Sequence, residues 1–158
     1  MNRRPGQRGL TTVEFAICAA ATMLIMLGAL EVSRLLFTWN TLDSTAQRAA
    51  RIAAVCPPNH ADIARIAGFG TVGGDAGVLP GFTANNLQLD YLDEDFNDTG
   101  GSATSAFVRA RIVGYQIDLA IPFVNLTGIT SPNFSSTVPA ESLGWVPDTA
   151  SRTCFGTA

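Results

Sequence analysis

The chain lacks lysine altogether, so all ten of its basic residues are arginines. It has one histidine and three cysteines, and charged residues make up only 15% of its 158 residues. Beyond Gly9 seven arginines stand against thirteen acids, a net charge of about −6, whereas nucleic-acid-binding domains are typically basic. We therefore predict that nucleic acid is not a partner.

The motifs that usually mark catalysis are also missing. The sequence contains no Gly-x-Ser-x-Gly elbow, and Gly68-Phe69-Gly70 lacks the strand and helix that would flank a phosphate loop. The lone histidine, His60, has no obvious partner and is interpreted as an exposed loop residue. We predict no catalytic site, no cofactor and a function other than that of an enzyme.

One acidic cluster offers a weak alternative, a calcium site at Asp93, Asp95 and Asp98. An EF-hand loop needs glycine at its sixth position and glutamate at its twelfth, but here these positions hold Asp98 and Thr104. We therefore favour a solvated hairpin tip and predict no metal site, with a looser calcium site as the alternative.

The chain does have a long apolar run near its N-terminus. No charge occurs from Phe15 to Leu30, and residues 10–30 as a helix would measure about 31 Å, enough to cross the hydrocarbon core of a bilayer. Three arginines in residues 1–9 precede it without any acid, which favours a cytoplasmic N-terminus and export of the chain beyond the apolar run. Helical spacing continues past Glu31, so the pattern favours an anchor over a cleaved secretory signal.

Glu14 is unusual for a plain anchor, because a charge within a membrane helix is costly and by default marks function. The alternative is a carboxylate in the headgroup layer that favours the helix dipole. The run Arg8-Gly9-Leu10-Thr11-Thr12-Val13-Glu14-Phe15 resembles the processing signal of type IV prepilins. That resemblance implies peptidase cleavage between Gly9 and Leu10, with Glu14 as the fifth mature residue and a partner for a neighbouring subunit's terminal amine.

A narrower resemblance extends along the same helix. The segments Leu27–Asn40, with Gly28, Glu31, Arg34 and Asn40, and Ala46–Ala54, rich in Ala and Arg, resemble those of TadE-like proteins, minor pilins or pseudopilins of the tight-adherence (Flp, type IVc) pilus. This implies a part in priming, capping or regulating pilus assembly for adhesion or secretion. The implied partners are the inner membrane, the prepilin peptidase, other pilin subunits and the assembly machinery. The exported part would lie in the periplasm and then in the extracellular pilus.

Two other functions remain open at this point. One is a minor pseudopilin of type II secretion, which shares the cleavage motif but resembles the Glu31–Arg34 segment less. The other is an exported binding domain or enzyme on a single-pass anchor. Glu31 and Arg34 lie three residues apart on a helix, so they form either a helix-stabilising pair or an assembly contact.

Two cysteines, Cys56 and Cys154, fall in the exported part, where an oxidising compartment permits a disulfide. We predict that they are bonded, the alternative being two unrelated buried thiols, and that Cys18 is an apolar filler of the membrane helix.

The predicted fold is α+β and pilin-like, with three parts: a leader at residues 1–9, a long helix at 10–56 (10–30 transmembrane) and an exported domain at 57–158. The long helix should stop at Pro57-Pro58. A short helix is predicted at Ala61–Ala67, and alternation predicts strands at Leu87–Tyr91 and Phe107–Ile121. We expect these strands to form a small antiparallel sheet against the outer half of the long helix, with a mostly irregular tail after Thr127.

Overall fold

The computed structural model describes residues 10–70, 77–102, 104–121, 124–148 and 151–154. The predicted leader, including Gly9, lies outside the described residues. The elements, in chain order, are helices α1 (Leu10–Val55) and α2 (Asp62–Ala67), a 3-10 turn (Ala84–Asn86), and strands β1 (Leu87–Leu92), β2 (Phe107–Ile112), β3 (Gln116–Ile121), β4 (Val124–Thr130), β5 (Ser135–Pro139), β6 (Trp145–Val146) and β7 (Ser151–Arg152). The predicted α+β fold with a long N-terminal helix and a small antiparallel sheet is confirmed.

The chain divides into two compact units, which are described separately. One contains α1 as far as Phe37 together with Ile117–Ile129. The other contains Thr38–Gln116 and the chain from Thr130 onward. Helix α1 is continuous through both, and proline is absent from it, so nothing in its backbone interrupts the hydrogen-bond ladder.

The second unit is held by an alanine face on the outer half of α1. Ala46, Ala49, Ala50 and Ala53 are completely buried and recur at the spacing of one helix face. Side chains this small let a sheet approach the helix backbone closely. Facing them are Ala110 of β2 and partly buried side chains of β1 and β5, namely Leu87, Leu89 and Val138.

The sheet itself has three antiparallel strands in the order β1-β2-β5. Residues of β2 alternate between half-buried and buried, with Val108, Ala110 and Ile112 on the buried side. This alternation is the pattern from which the sequence predicted a half-exposed strand. The predicted pairing of the first two strands as an antiparallel hairpin is confirmed.

Two predictions about the strands were wrong. The long strand predicted at Phe107–Ile121 is broken, because Gly114 adopts a positive φ of 63° and Tyr115 turns inward to donate its hydroxyl to the Pro80 carbonyl at 2.8 Å. The segment after the break, β3, pairs with β4 in a separate two-stranded sheet. The prediction for the tail after Thr127 missed three strands, since β5 completes the main sheet and β6 pairs with β7.

The end of α1 is fixed by two close approaches of prolines to glycines. A side chain on Gly144 would begin 2.5 Å from Pro57 Cδ, and one on Gly101 would begin 2.4 Å from Pro58 Cβ. Both glycines also have positive φ values, which other residues adopt at a cost. Beside them, Cys56 and Cys154 form the predicted disulfide, with their Cα atoms 5.2 Å apart and a sequence separation of 98. The disulfide ties the segment after β7 to the end of α1.

Candidate functional site

The membrane-sized part of α1 is the most distinctive surface of the chain. α1 is the one helix among the described residues that is long and apolar enough to cross a membrane, with a mean hydropathy of 2.1 and an apolar window that is entirely unburied. Large side chains lie open all around it: Phe15 is 74% exposed, Ile25 74% and Leu30 66%. In water this exposure would be unfavourable, so the surface is consistent with a single-pass membrane anchor or with packing against other helices.

Two hydroxyl side chains on this part of α1 form hydrogen bonds to backbone carbonyls of the same helix. The Thr22 hydroxyl donates to the Cys18 carbonyl at 2.8 Å, and the Ser33 hydroxyl donates to the Ala29 carbonyl, also at 2.8 Å. Such bonds to the preceding turn remove the cost of exposing a hydroxyl to lipid. Neither residue therefore weakens the case for an apolar environment.

Glu14 differs from these hydroxyls. It lies on the first turns of α1, is exposed, and is flanked by Val13 and Phe15, which are 56% and 74% exposed. It takes part in none of the ion pairs found among the described residues. Leu10, whose amine would be freed by the predicted cleavage, is the first residue of α1, so Glu14 lies one helical turn from the predicted mature terminus.

The predicted Glu31–Arg34 pair is present on α1. Arg34 Nη2 lies 3.0 Å from Glu31 Oε2, and Arg34 Nε donates to the same oxygen at 3.2 Å. The Glu31 side chain is 18% exposed and that of Arg34 is 52% exposed. An exposed pair of this spacing contributes little by itself, about 0.3–0.5 kcal/mol.

Arg34 has a further contact that the sequence did not predict. It donates to the backbone carbonyl of Asp118 in β3. The Asp118 carboxylate in turn accepts the Gly128 N–H of β4 at 2.9 Å. Arg34 therefore links Glu31 on the helix to the β3–β4 hairpin within one compact unit. No sequence signal predicts this contact, because Arg34 binds a backbone carbonyl 84 residues away rather than the Asp118 carboxylate.

In the acidic loop between β1 and β2, the first carboxylate accepts hydrogen bonds from the backbone of the loop itself. Asp93 Oδ1 accepts the backbone N–H of Asp95 at 2.9 Å and that of Asn97 at 2.8 Å. These bonds, led by the one from the Asn97 backbone, lower the pKa of Asp93. In the part of the chain that the structure describes, no group of three or more His, Cys, Asp or Glu side chains could hold a metal ion. The arrangement is that of a closed turn.

His60 lies against a small pocket rather than on the open loop that the sequence had predicted. It is half-buried, and its Nδ1 accepts the Asp62 N–H at 3.3 Å. The pocket measures about 150 Å³ and lies between the start of α2 and β1, with Ile63, Ala64 and Leu89 among its walls. Since His60 helps to cap the turn into α2, the structure gives it a local structural role.

The comparison with known protein families gives a match in the N-terminal part of the chain. Residues 9–51 match the family model described as TadE-like protein, which covers about a quarter of the chain. No curated protein and no solved structure matches. The match confirms the resemblance to TadE-like proteins that was drawn from the segments Leu27–Asn40 and Ala46–Ala54.

Proposed function

We propose that this chain, with its TadE-like segment at residues 9–51, is a minor pilin or pseudopilin that takes part in assembling a tight-adherence pilus by priming, capping or regulating it. The observation that carries the proposal is an exposed carboxylate, Glu14, in the otherwise apolar and unburied membrane-sized part of α1. In a plain anchor the carboxylate would have only the weak interaction with the helix dipole, whereas a subunit that packs among other helices can pair it with a cation.

Processing is the first step of the proposed function. The prepilin peptidase would cut between Gly9 and Leu10 and remove the arginine-rich leader. The position of the cut is supported by the spacing between Gly9 and Glu14 behind three arginines. Cleavage there would leave the α-amino group of Leu10 on the first residue of a helix whose apolar surface is open.

Pairing is the second step. In a bundle of such helices, Glu14 of one subunit would face the Leu10 amine of a neighbour. Two opposite charges in a poorly hydrated bundle are stabilised only together, and removing one leaves the other buried and unpaired at a cost of about 3–5 kcal/mol. The pair would thus fix the axial register of the subunits. Glu31 and Arg34 would act in assembly indirectly, by holding the β3–β4 hairpin.

The exported part would occupy the periplasm and later the base or tip of the extracellular pilus, while α1 remains in the inner membrane before assembly. We propose that its role is binding and positioning, without catalysis. The disulfide and the proline–glycine contacts fix the start of this part to the end of α1. A minor pseudopilin of type II secretion is the second candidate, favoured by the same Glu14 geometry.

The substitution Glu14→Ala tests this proposal in cells that make the pilus. We expect a processed, membrane-localised variant that fails to support piliation, since peptidase recognition depends mainly on Gly9 and the leader. The matched control is Asp43→Asn, which removes a carboxylate from the same helix at a position where it bonds only to Gln47, at 3.0 Å. Wild-type piliation by a stable, processed Glu14→Ala protein would refute the assembly role.

A further inference from the structure

The three-stranded sheet has an edge on each side, and the two edges differ in protection. In β5 the even-numbered residues bond to β2, since the Ile112 N–H donates to the Phe134 carbonyl at 2.8 Å in the same register. Pro139 therefore faces the outer edge of β5, where it offers no N–H. Strand β1 (Leu87–Leu92) contains no proline and no lysine, the residues that commonly protect edge strands. The outer edge of β1 is thus the less protected one.

The hydrogen bonds around β1 show which of its backbone groups face outward. The Val113 N–H donates to the Asn86 carbonyl at 2.9 Å, so the even-numbered residues of this segment bond to β2. The odd-numbered residues face the outer edge, as the Tyr91 carbonyl does when it accepts the Thr99 N–H at 2.7 Å. Among the described residues, the backbone N–H and carbonyl of Leu89 have no partner at this edge. Leu89 therefore presents one free donor and one free acceptor.

The small pocket that His60 borders lies beside this edge. It measures about 150 Å³, with Ile63 and Ala64 of α2 on one side and Leu87 and Leu89 of β1 on the other. Among the described residues none of β2 or α1 lines it, so it lies on the outer side of β1. These lining residues include no carboxylate and no arginine, which favours an uncharged occupant. A cavity of this size holds a group about as large as benzene, comparable with the side chain of leucine, isoleucine or phenylalanine.

The edge and the pocket share one register. A strand added antiparallel to β1 places one residue directly opposite Leu89, where the two residues exchange both of their backbone hydrogen bonds. Side chains of directly opposed residues lie on the same face of a sheet. Because the Leu89 side chain lines the pocket, the side chain opposite it enters the pocket as well. Backbone bonds then supply affinity, and the pocket selects one apolar side chain.

We propose that the groove between the outer edge of β1 and the start of α2 binds an extended segment of another protein. That segment adds a fourth strand to the sheet and places a leucine, isoleucine or phenylalanine in the pocket. The free donor and acceptor of Leu89 are complementary to an extended backbone, which identifies the occupant as a polypeptide. This inference depends neither on membrane insertion of α1 nor on pilus assembly.

A second copy of this chain fits the groove less well than another protein does. Its β5 would bring Ser135 or Thr137 opposite Leu89, and neither is an apolar side chain of the required size. Its own Leu87 and Leu89 already line the pocket of that copy. We therefore assign the groove to a different chain.

Selection from a random heptapeptide library displayed on phage, against the oxidised full chain in detergent, tests this proposal. The strongest binder is synthesised with a fluorophore, and its affinity is measured by fluorescence polarisation. The test variant is Ala84→Trp, which fills the pocket from an exposed position that lines it. The matched control is Asn85→Trp, an exposed position in the same 3-10 turn that is not part of the pocket. Near-ultraviolet circular dichroism checks that both variants keep the fold.

We expect enriched peptides to share one leucine, isoleucine or phenylalanine within a run of strand-forming residues. Ala84→Trp should weaken binding about tenfold or more, as loss of an anchoring side chain at an interface does, and Asn85→Trp should not. N-methylation of the apolar residue, which removes its donor to the Leu89 carbonyl, should weaken binding, whereas methylation of the next residue should leave it unchanged.

Three results would overturn the proposal. The first is no enrichment over detergent alone. The second is binding that survives Ala84→Trp or N-methylation of the apolar residue, or that falls equally in both tryptophan variants. The third is self-association of the chain, measured by analytical ultracentrifugation, that Ala84→Trp abolishes and Asn85→Trp does not, since this would assign the groove to a second copy.

Discussion

Removal of the Cys56–Cys154 bond gives the most quantitative test of how the second unit is stabilised. The bond closes a loop with 98 residues of separation, and a loop of about 100 residues corresponds to about 4.7 kcal/mol in the chain-entropy account. Measured removals of native disulfides cost about 2–5 kcal/mol. Cys56 is 1% exposed, and Cys154 packs against the cluster that also holds Ile63, Tyr91 and Val108. We therefore expect Cys154→Ser to lower the free energy of unfolding by at least about 3 kcal/mol.

The assay is thermal and guanidinium unfolding of the oxidised full chain in detergent, followed by near-ultraviolet circular dichroism. In a unit of about 100 residues, 3 kcal/mol corresponds to a fall in Tm of roughly 12 °C or more. The matched control is Cys18→Ser, because Cys18 is free and exposed and its replacement should leave Tm unchanged. A fall of less than a few degrees in Cys154→Ser, or equal falls in both variants, would show that the bond does not hold the second unit together.

Two further predictions concern packing and pH. Ala50→Leu should destabilise the second unit by about 1–3 kcal/mol, because Ala50 is fully buried against the sheet and has no room for a larger side chain. The control Ala29→Leu, on the exposed part of the same helix, should leave stability unchanged. Equal unfolding midpoints for the two variants would contradict the packing of the alanine face against the sheet. Asp93 has a pKa lowered by the Asn97 backbone bond, so its stabilisation is present above the unfolded value and is lost as pH falls through the lowered value. Asp93→Asn should therefore flatten the acid limb of stability against pH, and an unchanged slope below pH 4 would contradict that assignment.

Helix α1 and its features were predictable because they depend on local sequence. The apolar run, the stop at Pro57-Pro58 and the Glu31–Arg34 spacing each follow from helix geometry. The first hairpin was predictable for a similar reason, since alternation at Leu87, Leu89 and Tyr91 marks a half-buried strand. The fold class followed from these local signals alone.

The features that could not be predicted depend on contacts between distant residues. The break after Ile112 results from Tyr115 turning to the Pro80 carbonyl, 35 residues away, and alternation on both sides of the break concealed it. Strand β5, which is mostly Ser and Thr, has little apolar signal, and it is a strand because β2 offers it a backbone edge. The contact from Arg34 to Asp118 spans 84 residues, so helical spacing predicted the Glu31–Arg34 pair but not this contact.

The central claim, that this chain is processed as a pilin, is tested most directly by the intact mass and N-terminal sequence of the protein extracted from membranes. In cells that contain the prepilin peptidase, the account predicts a chain that begins at Leu10 and has lost residues 1–9. In cells without the peptidase, or with Gly9 replaced by a bulky residue, it predicts the full-length chain. Recovery of only the full-length chain from peptidase-positive, pilus-producing cells would contradict the account.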